Sequence, residues 1–249
     1  MEGTAVPRRL TWQVATVTAA IQETPSVRTL VLAVPDWPGH RAGQHLDVRL
    51  TAEDGYTAER SYSIASAPGE PVAITVERLE DGEVSPYLTE ELRVGDQLEL
   101  RGPVGGYFVW EAAVGGPLLL VAGGSGIVPL RAIIRERQRG GSEVPVCLLY
   151  SSRTLTDVIY RAELDSYGDG DGIAVSYTLT RAHPPGWTGY AGRVNATLLA
   201  EVAWPADKEP LAFACGPTSF VETVAEDLVG LGYPPGRVKT ERFGGTGGP

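Results

Sequence analysis

A run of glycines behind an apolar stretch is the first place where these residues suggest chemistry. Residues 118–122 read as a buried strand that leads into Gly123-Gly124-Ser125-Gly126, and a helical pattern with Pro129 in its first turn follows. Glycine lets a backbone approach an anion closely, and a helix start offers free N–H groups at the positive end of its dipole. In this strand–loop–helix context the run reads as a pyrophosphate site. It also suits a tight turn that uses glycine for geometry alone, and the ligand reading is preferred. No Gly-Lys-Ser/Thr follows, so it is not a Walker loop, and Ile127 stands where a hydrolase nucleophile elbow needs glycine. The Ser, His and Asp residues elsewhere lack a nucleophile-loop context for acyl transfer.

The next apolar strand ends Tyr150-Ser151-Ser152-Arg153, without the acidic residue that accepts hydrogen bonds from ribose hydroxyls in NAD sites. A guanidinium there suits a 2′-phosphate, because it presents paired donors. Arg181 and Arg193 follow similar positions downstream. Each is by itself also a solvated surface charge; three at the ends of one sheet favour NADPH.

Two kinds of element must position these groups. Up to about residue 110, short alternating segments (27–34, 44–50, 61–65, 72–78, 97–101) are separated by turn residues such as Pro38-Gly39, Asp54-Gly55 and Gly102-Pro103. That pattern predicts a small antiparallel barrel or sandwich, interrupted by one helix that Ser85 caps and Pro86 begins, over 87–92. After Gly115-Gly116-Pro117 the period changes. Apolar runs at 118–122, 146–150, 173–179 and 211–214 alternate with helical stretches at 130–139, 157–166, 195–202 and 218–231. This predicts a parallel sheet covered on both faces. The expected architecture is an N-terminal antiparallel barrel over 8–114, a C-terminal α/β nucleotide-binding domain over 115–243, and a glycine-rich tail over 244–249.

Composition narrows the chemistry further. The net charge is −10, with 9 Lys+Arg against 17 Asp+Glu up to residue 114 and 12 against 14 beyond it. That balance argues against nucleic acid as a partner and requires particular arginines to hold any anionic ligand. Cys147 and Cys215 both lie in runs that read as buried strands, so a disulfide framework is not expected. Two thiols cannot supply the four of an ordinary iron–sulfur cluster. His40, His45 and His183 lack metal-ligand spacing and read as strand or loop residues, so no metal is expected. Gly168-Asp169-Gly170-Asp171-Gly172 reads as a turn, since Ile173 stands where a calcium loop needs an oxygen ligand. No apolar run reaches the roughly 18 residues of a spanning helix. Arg8-Arg9 is followed by too polar a stretch for an export signal, and residues 10–17 alternate like a strand. No membrane partner and a cytoplasmic location are expected.

Arg60-Ser61-Tyr62-Ser63, the Gly123–Pro129 loop and Cys215-Gly216-Pro217, in this order and at these separations, resemble the ferredoxin–NADP reductase family, over roughly residues 8–243. The resemblance implies a Greek-key barrel that binds FAD and a parallel-sheet domain that binds NADPH, with NADH as the alternative. It implies that Arg60 contacts the FAD phosphates, Tyr62 packs on the flavin and Ser63 hydrogen-bonds near its N5. Val76-Glu77-Arg78 followed by Gly82-Glu83-Val84-Ser85 resembles the second flavin segment, where backbone and Ser85 hold the pyrophosphate. Gly123, Gly124, Gly126 and Pro129 match the dinucleotide loop, and Cys215, Gly216 and Pro217 the segment beside the nicotinamide. Arg153, Arg181 and Arg193 resemble the 2′-phosphate arginines of bacterial members. Glu241-Arg242-Phe243 resembles the terminal segment whose aromatic covers the flavin and whose acid assists proton or hydride traffic. The residues nearest the chemistry are then Ser63, Cys215 and Glu241.

The implied activity is hydride transfer from NADPH to flavin N5, then release of single electrons to a separate ferredoxin or flavodoxin. Such acidic carriers need a local basic patch, for which Arg8, Arg9, Arg28, Arg41 and Arg93 are the candidates. Six residues follow Phe243, whereas plant-type members stop at the aromatic and oxygenase reductases continue into an iron–sulfur domain. The alternatives are an NADH-dependent reductase component of an oxygenase and a dinucleotide-binding subunit without turnover. FMN also stays open, because the adenine end of FAD has no clear signature here.

Overall fold

The structure, a computed structural model, describes residues 10–243; Arg8, Arg9 and the tail over 244–249 lie outside them. Strands β1 (Gln13–Thr24), β2 (Val27–Ala33), β3 (His45–Thr51), β4 (Thr57–Ser63), β5 (Val72–Glu77) and β6 (Gln97–Val104) form one antiparallel sheet in the order β4-β3-β6-β1-β2-β5. An isolated bridge between Ile64 and Ile74 joins its two edges and closes the barrel. Period-two alternation explains which side chains fill it. Leu30 and Leu32, Leu46 and Val48, and Leu98 and Leu100 all point inward and are buried. Each contributes about 1.5–3 kcal/mol by leaving water.

Two local expectations fail here. Strand β4 begins at Thr57, four residues before the alternating segment read from sequence, because Glu59 and Arg60 are strand residues with exposed side chains. The helix over 87–92 is a single π-helical turn, Tyr87–Glu91, and Ser85 does not cap it. The buried Ser85 hydroxyl instead accepts from the Leu79 amide at 3.0 Å and pins the turn before it.

The second half holds β7 (Leu118–Gly123), α1 (Ile127–Arg139), β8 (Val146–Ser152), α2 (Arg161–Asp165), β9 (Ile173–Leu179), β10 (Tyr190–Ala191), α3 (Ala196–Val202), β11 (Leu211–Pro217), α4 (Thr218–Gly230) and β12 (Val238–Phe243). The sheet order is β10-β9-β8-β7-β11-β12, and every pair is parallel. Leu118, Leu120 and Ala122 face α1, while Leu119 and Val121 face α3 and α4. Burial on both faces explains the unbroken apolar run of β7. Asn195 caps α3 by accepting from the Leu198 amide at 3.0 Å.

The helix expected over 157–166 is broken. Thr154 and Asp157 close a capping box on a short turn, and Tyr160 then adopts a left-handed conformation with φ 59° before α2 starts. Cys147 is half-buried rather than buried. Among the described residues no helix is long and apolar enough to cross a membrane.

Candidate functional site

The carboxyl ends of β11 and β12 meet the carboxyl end of β4, and the register of the two sheets fixes what lies there. His45 stands opposite Ser63 in the β3–β4 pair, and Cys215 stands opposite Glu241 in the β11–β12 pair. Ser63 Oγ donates to Glu241 Oε2 at 3.5 Å, and Cys215 Sγ approaches the same oxygen at 3.9 Å. His45 Nδ1 lies 3.8 Å from the other carboxylate oxygen.

Burial sets the protonation of this cluster. It pushes Glu241 up to about 7, against the opposing hydrogen bonds from Ser63 and Cys215. Burial, reinforced by the Glu241 charge, raises the Cys215 thiol far above its ordinary range, so this sulfur is a neutral thiol. Burial also lowers His45, against the attraction of Asp47. The His45–Glu241 approach is therefore no ion pair near pH 7; a neutral imidazole faces a carboxyl that titrates there. Tyr62, in the same strand as Ser63, is pushed up to about 12 by burial, opposed by the Arg60 charge, and stays a phenol.

Arg60 lies three residues upstream on β4, half exposed. It donates to the Glu59 carbonyl at 2.7 Å and to Glu83 Oε2 at 2.5 Å. Three of its five N–H donors stay uncommitted among the described residues, enough for a bidentate grip on a phosphate. Beyond β5, in which Val76 is buried, Arg78 pairs with Glu90 of the π-helical turn. Gly82 and Ser85 both bond Leu79, so the Gly82–Ser85 stretch is held by itself and Val84 is buried beneath it.

At the other sheet, the glycines of the β7–α1 loop have different jobs. A side chain on Gly126 would put its Cβ 2.0 Å from the Cys215 carbonyl oxygen, so this glycine serves close packing of the loop onto β11, not ligand approach. A Cβ added to Gly123 would likewise lie 2.9 Å from the Phe220 ring. Only Gly124, with φ 56° and open space around it, is free for a close anion. Pro129 sits buried in the first turn of α1. Arg153, Arg181 and Arg193 are exposed just past β8, β9 and β10, three neighbouring strands, and the Arg181 amide bonds the Arg153 carbonyl at 2.9 Å. None of the three side chains has an ion-pair partner among the described residues. Gly216 and Pro217 face Arg242 and Phe243 in register, and half-buried Phe243 packs on the core beside them.

Of the basic-patch candidates among the described residues, Arg28 and Arg93 converge on the Leu92 carbonyl, at 2.8 and 3.3 Å. Arg28 donates into the Thr89 and Leu92 carbonyls, Arg93 into the Glu90 carbonyl, and Arg41 pairs with Glu111. Sequence reasoning missed His45 as a neighbour of Glu241. It also passed over Tyr56 and Glu83, which bond each other at 2.8 Å beside Arg60. A glutamate next to Gly82 in a segment read as anion-binding was the available signal.

A barrel strand that ends on a parallel sheet, with an arginine that keeps three free donors and an open Gly124 at either side of the junction, defines a two-domain flavin and dinucleotide oxidoreductase. Residues 14–109 match the oxidoreductase FAD-binding domain and residues 120–226 the oxidoreductase NAD-binding domain. The chain is 38% identical over 210 residues to ferredoxin–NADP reductase B of Sorangium cellulosum, covering 81% of this chain and 84% of that one. It belongs to the ferredoxin–NADP reductase family. It is also 33% identical over 233 residues to the glycine betaine monooxygenase reductase subunit of Pseudomonas aeruginosa, covering 91% of this chain and 63% of that subunit's length. Among solved structures, the FAD/NAD-binding domain of a nitric oxide dioxygenase from Vibrio cholerae superposes with a TM-score of 0.83 at 25% identity, covering 93% and 98% of the two chains.

Proposed function

We propose that this protein takes hydride from NADPH onto the N5 of bound FAD and passes the electrons singly to a separate carrier, a ferredoxin or flavodoxin. The observation that carries the reading is the junction of Ser63, Cys215 and Glu241, contributed by both sheets and separated by up to 178 residues of chain. FAD, when bound, supplies the conversion of a hydride into two single electrons. The chain's own residues then bind and place. Arg60 neutralises phosphate, half-buried Tyr62 and Phe243 offer ring faces, and Ser63 offers a hydroxyl whose bond to Glu241, at 3.5 Å, is loose enough to be exchanged. Glu241, poised near neutrality, holds or releases one proton at its Oε2. Neutral Cys215 fills the wall opposite it without competing as a nucleophile.

For the second segment, Val76, Arg78, Gly82, Val84 and Ser85 act as a scaffold that presents backbone to the diphosphate; the Ser85 hydroxyl is already engaged by Leu79. Arg153, Arg181 and Arg193 take the 2′-phosphate, supported by their shared sheet end and unpaired guanidinium groups. The domain limits 8–114 and 115–243 fit one sheet ending at Val104 and the next beginning at Leu118. Two free thiols support a cytoplasmic location. A second reading, the NADH-dependent reductase component of an oxygenase, is favoured by the monooxygenase reductase relative.

Anaerobic titration of the FAD-loaded protein with NADPH and then NADH tests the assignment. Bleaching of the flavin band by NADPH at rates well above NADH, with the preference lost in Arg153→Ala/Arg181→Ala, is the expected result. Faster bleaching by NADH would transfer the assignment to the second reading.

A further inference from the structure

Past Ser63 the chain runs into Ile64-Ala65-Ser66-Ala67, and the backbone of this segment is tied down at several points. The Ala65 amide bonds the Ala73 carbonyl at 2.7 Å, and the Ala65 carbonyl accepts from Arg131 Nη1 at 3.4 Å. His40 Nε2 donates to the Ser66 carbonyl at 3.0 Å, and Glu70 accepts from the Ala67 amide at 2.9 Å. Two of these ties lead to α1. Arg131 belongs to that helix, and Glu70 pairs with its Arg135 and Arg139. At its start the same helix leaves Gly126, whose missing side chain lets the loop lie on the Cys215 carbonyl. One helix therefore braces both the segment that continues from Ser63 and the strand that carries Cys215. We propose that Arg131 is a positioning residue: through the Ala65 carbonyl it fixes Ser63 against Cys215 and Glu241, and so governs the rate of the hydride step rather than the affinity for either dinucleotide. The inference rests on the hydride reading and adds a residue to it.

Arg131 can hold this position because it is itself immobilised. It is buried, its Nε and Nη2 both bond Glu163 Oε2 at 2.7 Å, and its guanidinium lies over the Tyr160 ring. The Tyr160 hydroxyl bonds Thr75 of β5, so the ring beneath the guanidinium is anchored to the barrel. A planar fork held along one edge and on one face keeps its remaining edge aimed. The connection is also short. Arg131 stands five residues beyond Gly126, about 7.5 Å of helix at 1.5 Å per residue. Ala65 stands two residues beyond Ser63, about 7 Å of extended chain. Ser63 reaches Glu241 at 3.5 Å, the limit of a hydrogen bond, so a small shift of the segment breaks that contact.

A purely structural Arg131 would lower stability and leave the junction as it is. Arg137 is the control. It lies on the same helix, equally buried, and donates to the Val144 carbonyl at 2.9 Å within its own half. Arg131→Met keeps the length of the side chain, and Glu163 retains Arg135 at 2.7 Å and the Tyr167 hydroxyl at 3.1 Å. Both variants are studied as full chains below their melting midpoints. Rapid mixing of the FAD-loaded protein with NADPH gives the limiting rate of flavin reduction. Arg131→Met should lower it about tenfold, since a misplacement near 1 Å can cost about a hundredfold. The dissociation constants for FAD and NADPH should stay within about twofold of wild type. The second readout needs no flavin. The Glu241 carboxyl faces Ser63 of β4, Cys215 of β11 and His45 of β3, with Asp47 behind His45. The Ser63 and Cys215 hydrogen bonds both favour its charged form. Releasing Ser63 should therefore raise the Glu241 midpoint in a carbon-detected NMR titration of the apoprotein, assigned with Glu241→Gln. Arg137→Met should melt earlier and move neither the limiting rate nor the midpoint. An unchanged rate in Arg131→Met would overturn the proposal, and so would an equal loss in Arg137→Met. A slower rate without the midpoint shift would overturn it too, because Ser63 would not have moved. If neither dinucleotide reduces the wild type, the hydride reading itself fails, whereas the apoprotein titration still decides whether Arg131 places Ser63.

Discussion

Glu241 meets Ser63, Cys215 and His45 at once, and its protonation is legible in the stability of the apoprotein. The carboxyl binds its proton more tightly folded than unfolded, since burial moves it from 4.5 to about 7. Between those two values the folded chain therefore holds the extra proton, and stability falls as pH rises through the interval. The effect is on the order of 3 kcal/mol at its limit, at about 1.4 kcal/mol per pH unit. Thermal melts of the apoprotein from pH 4.5 to 8 should show this decline, and Glu241→Gln should flatten it. A decline that persists in the variant would assign it to other groups. The same variant should slow reduction by NADPH while sparing FAD binding, because the side chain faces Ser63 and Cys215 and not Arg60.

At the scale of elements, a polar clamp fixes α1 and α2 against the barrel. Arg131, 9% exposed, bonds Glu163 at 2.7 Å, reaches the Ala65 carbonyl at 3.4 Å and lies over the Tyr160 ring at 4.0 Å. Arg135 joins Glu163 at 2.7 Å and Glu70 at 3.4 Å, and the Tyr160 hydroxyl bonds Thr75 of β5. Burial alone would raise Glu163, but hydrogen bonds from Arg135 and Arg131 outweigh it and hold the carboxyl below its ordinary range. Glu163→Ala leaves two guanidinium groups without their shared partner, one of them buried. It should cost about 3 kcal/mol or more, measured by denaturant unfolding. A loss below about 1 kcal/mol, typical of exposed pairs, would show the clamp is solvated. None of this was readable beforehand. The left-handed Tyr160 sits in a stretch whose apolar spacing imitates a helix, and its contacts come from Arg131 and Thr75, both distant in sequence. Strand β12 escaped for another reason: Val238-Lys239-Thr240-Glu241-Arg242-Phe243 is an edge strand with too few apolar residues to signal itself. By contrast, β7 and β11 were plain because both faces are buried and the whole run must be apolar.

The whole molecule has a core that ignores the boundary read at residue 115. Val27, Ala42, Ala65 and Ala73 of the barrel pack in one continuous cluster with Leu118, Leu130, Ile133 and Phe213 of the second half. The order of the two halves was legible from the change of period. Their shared core was not, because contacts between residues a hundred positions apart leave no local pattern. Calorimetric unfolding should accordingly give one transition with equal calorimetric and van't Hoff enthalpies. Two resolved transitions would show that the halves melt independently.

That common core limits what recombination can do with this scaffold. A nucleotide half taken from a relative brings its own version of the surface that packs in the shared cluster with Ala65 and Ala73. Exchange of cofactor preference by swapping halves would therefore travel with misfit at a seam that Ala65 places two residues from Ser63. Point changes at Arg153, Arg181 and Arg193, out at the exposed rim of the sheet, would alter the proposed 2′-phosphate site without touching that seam.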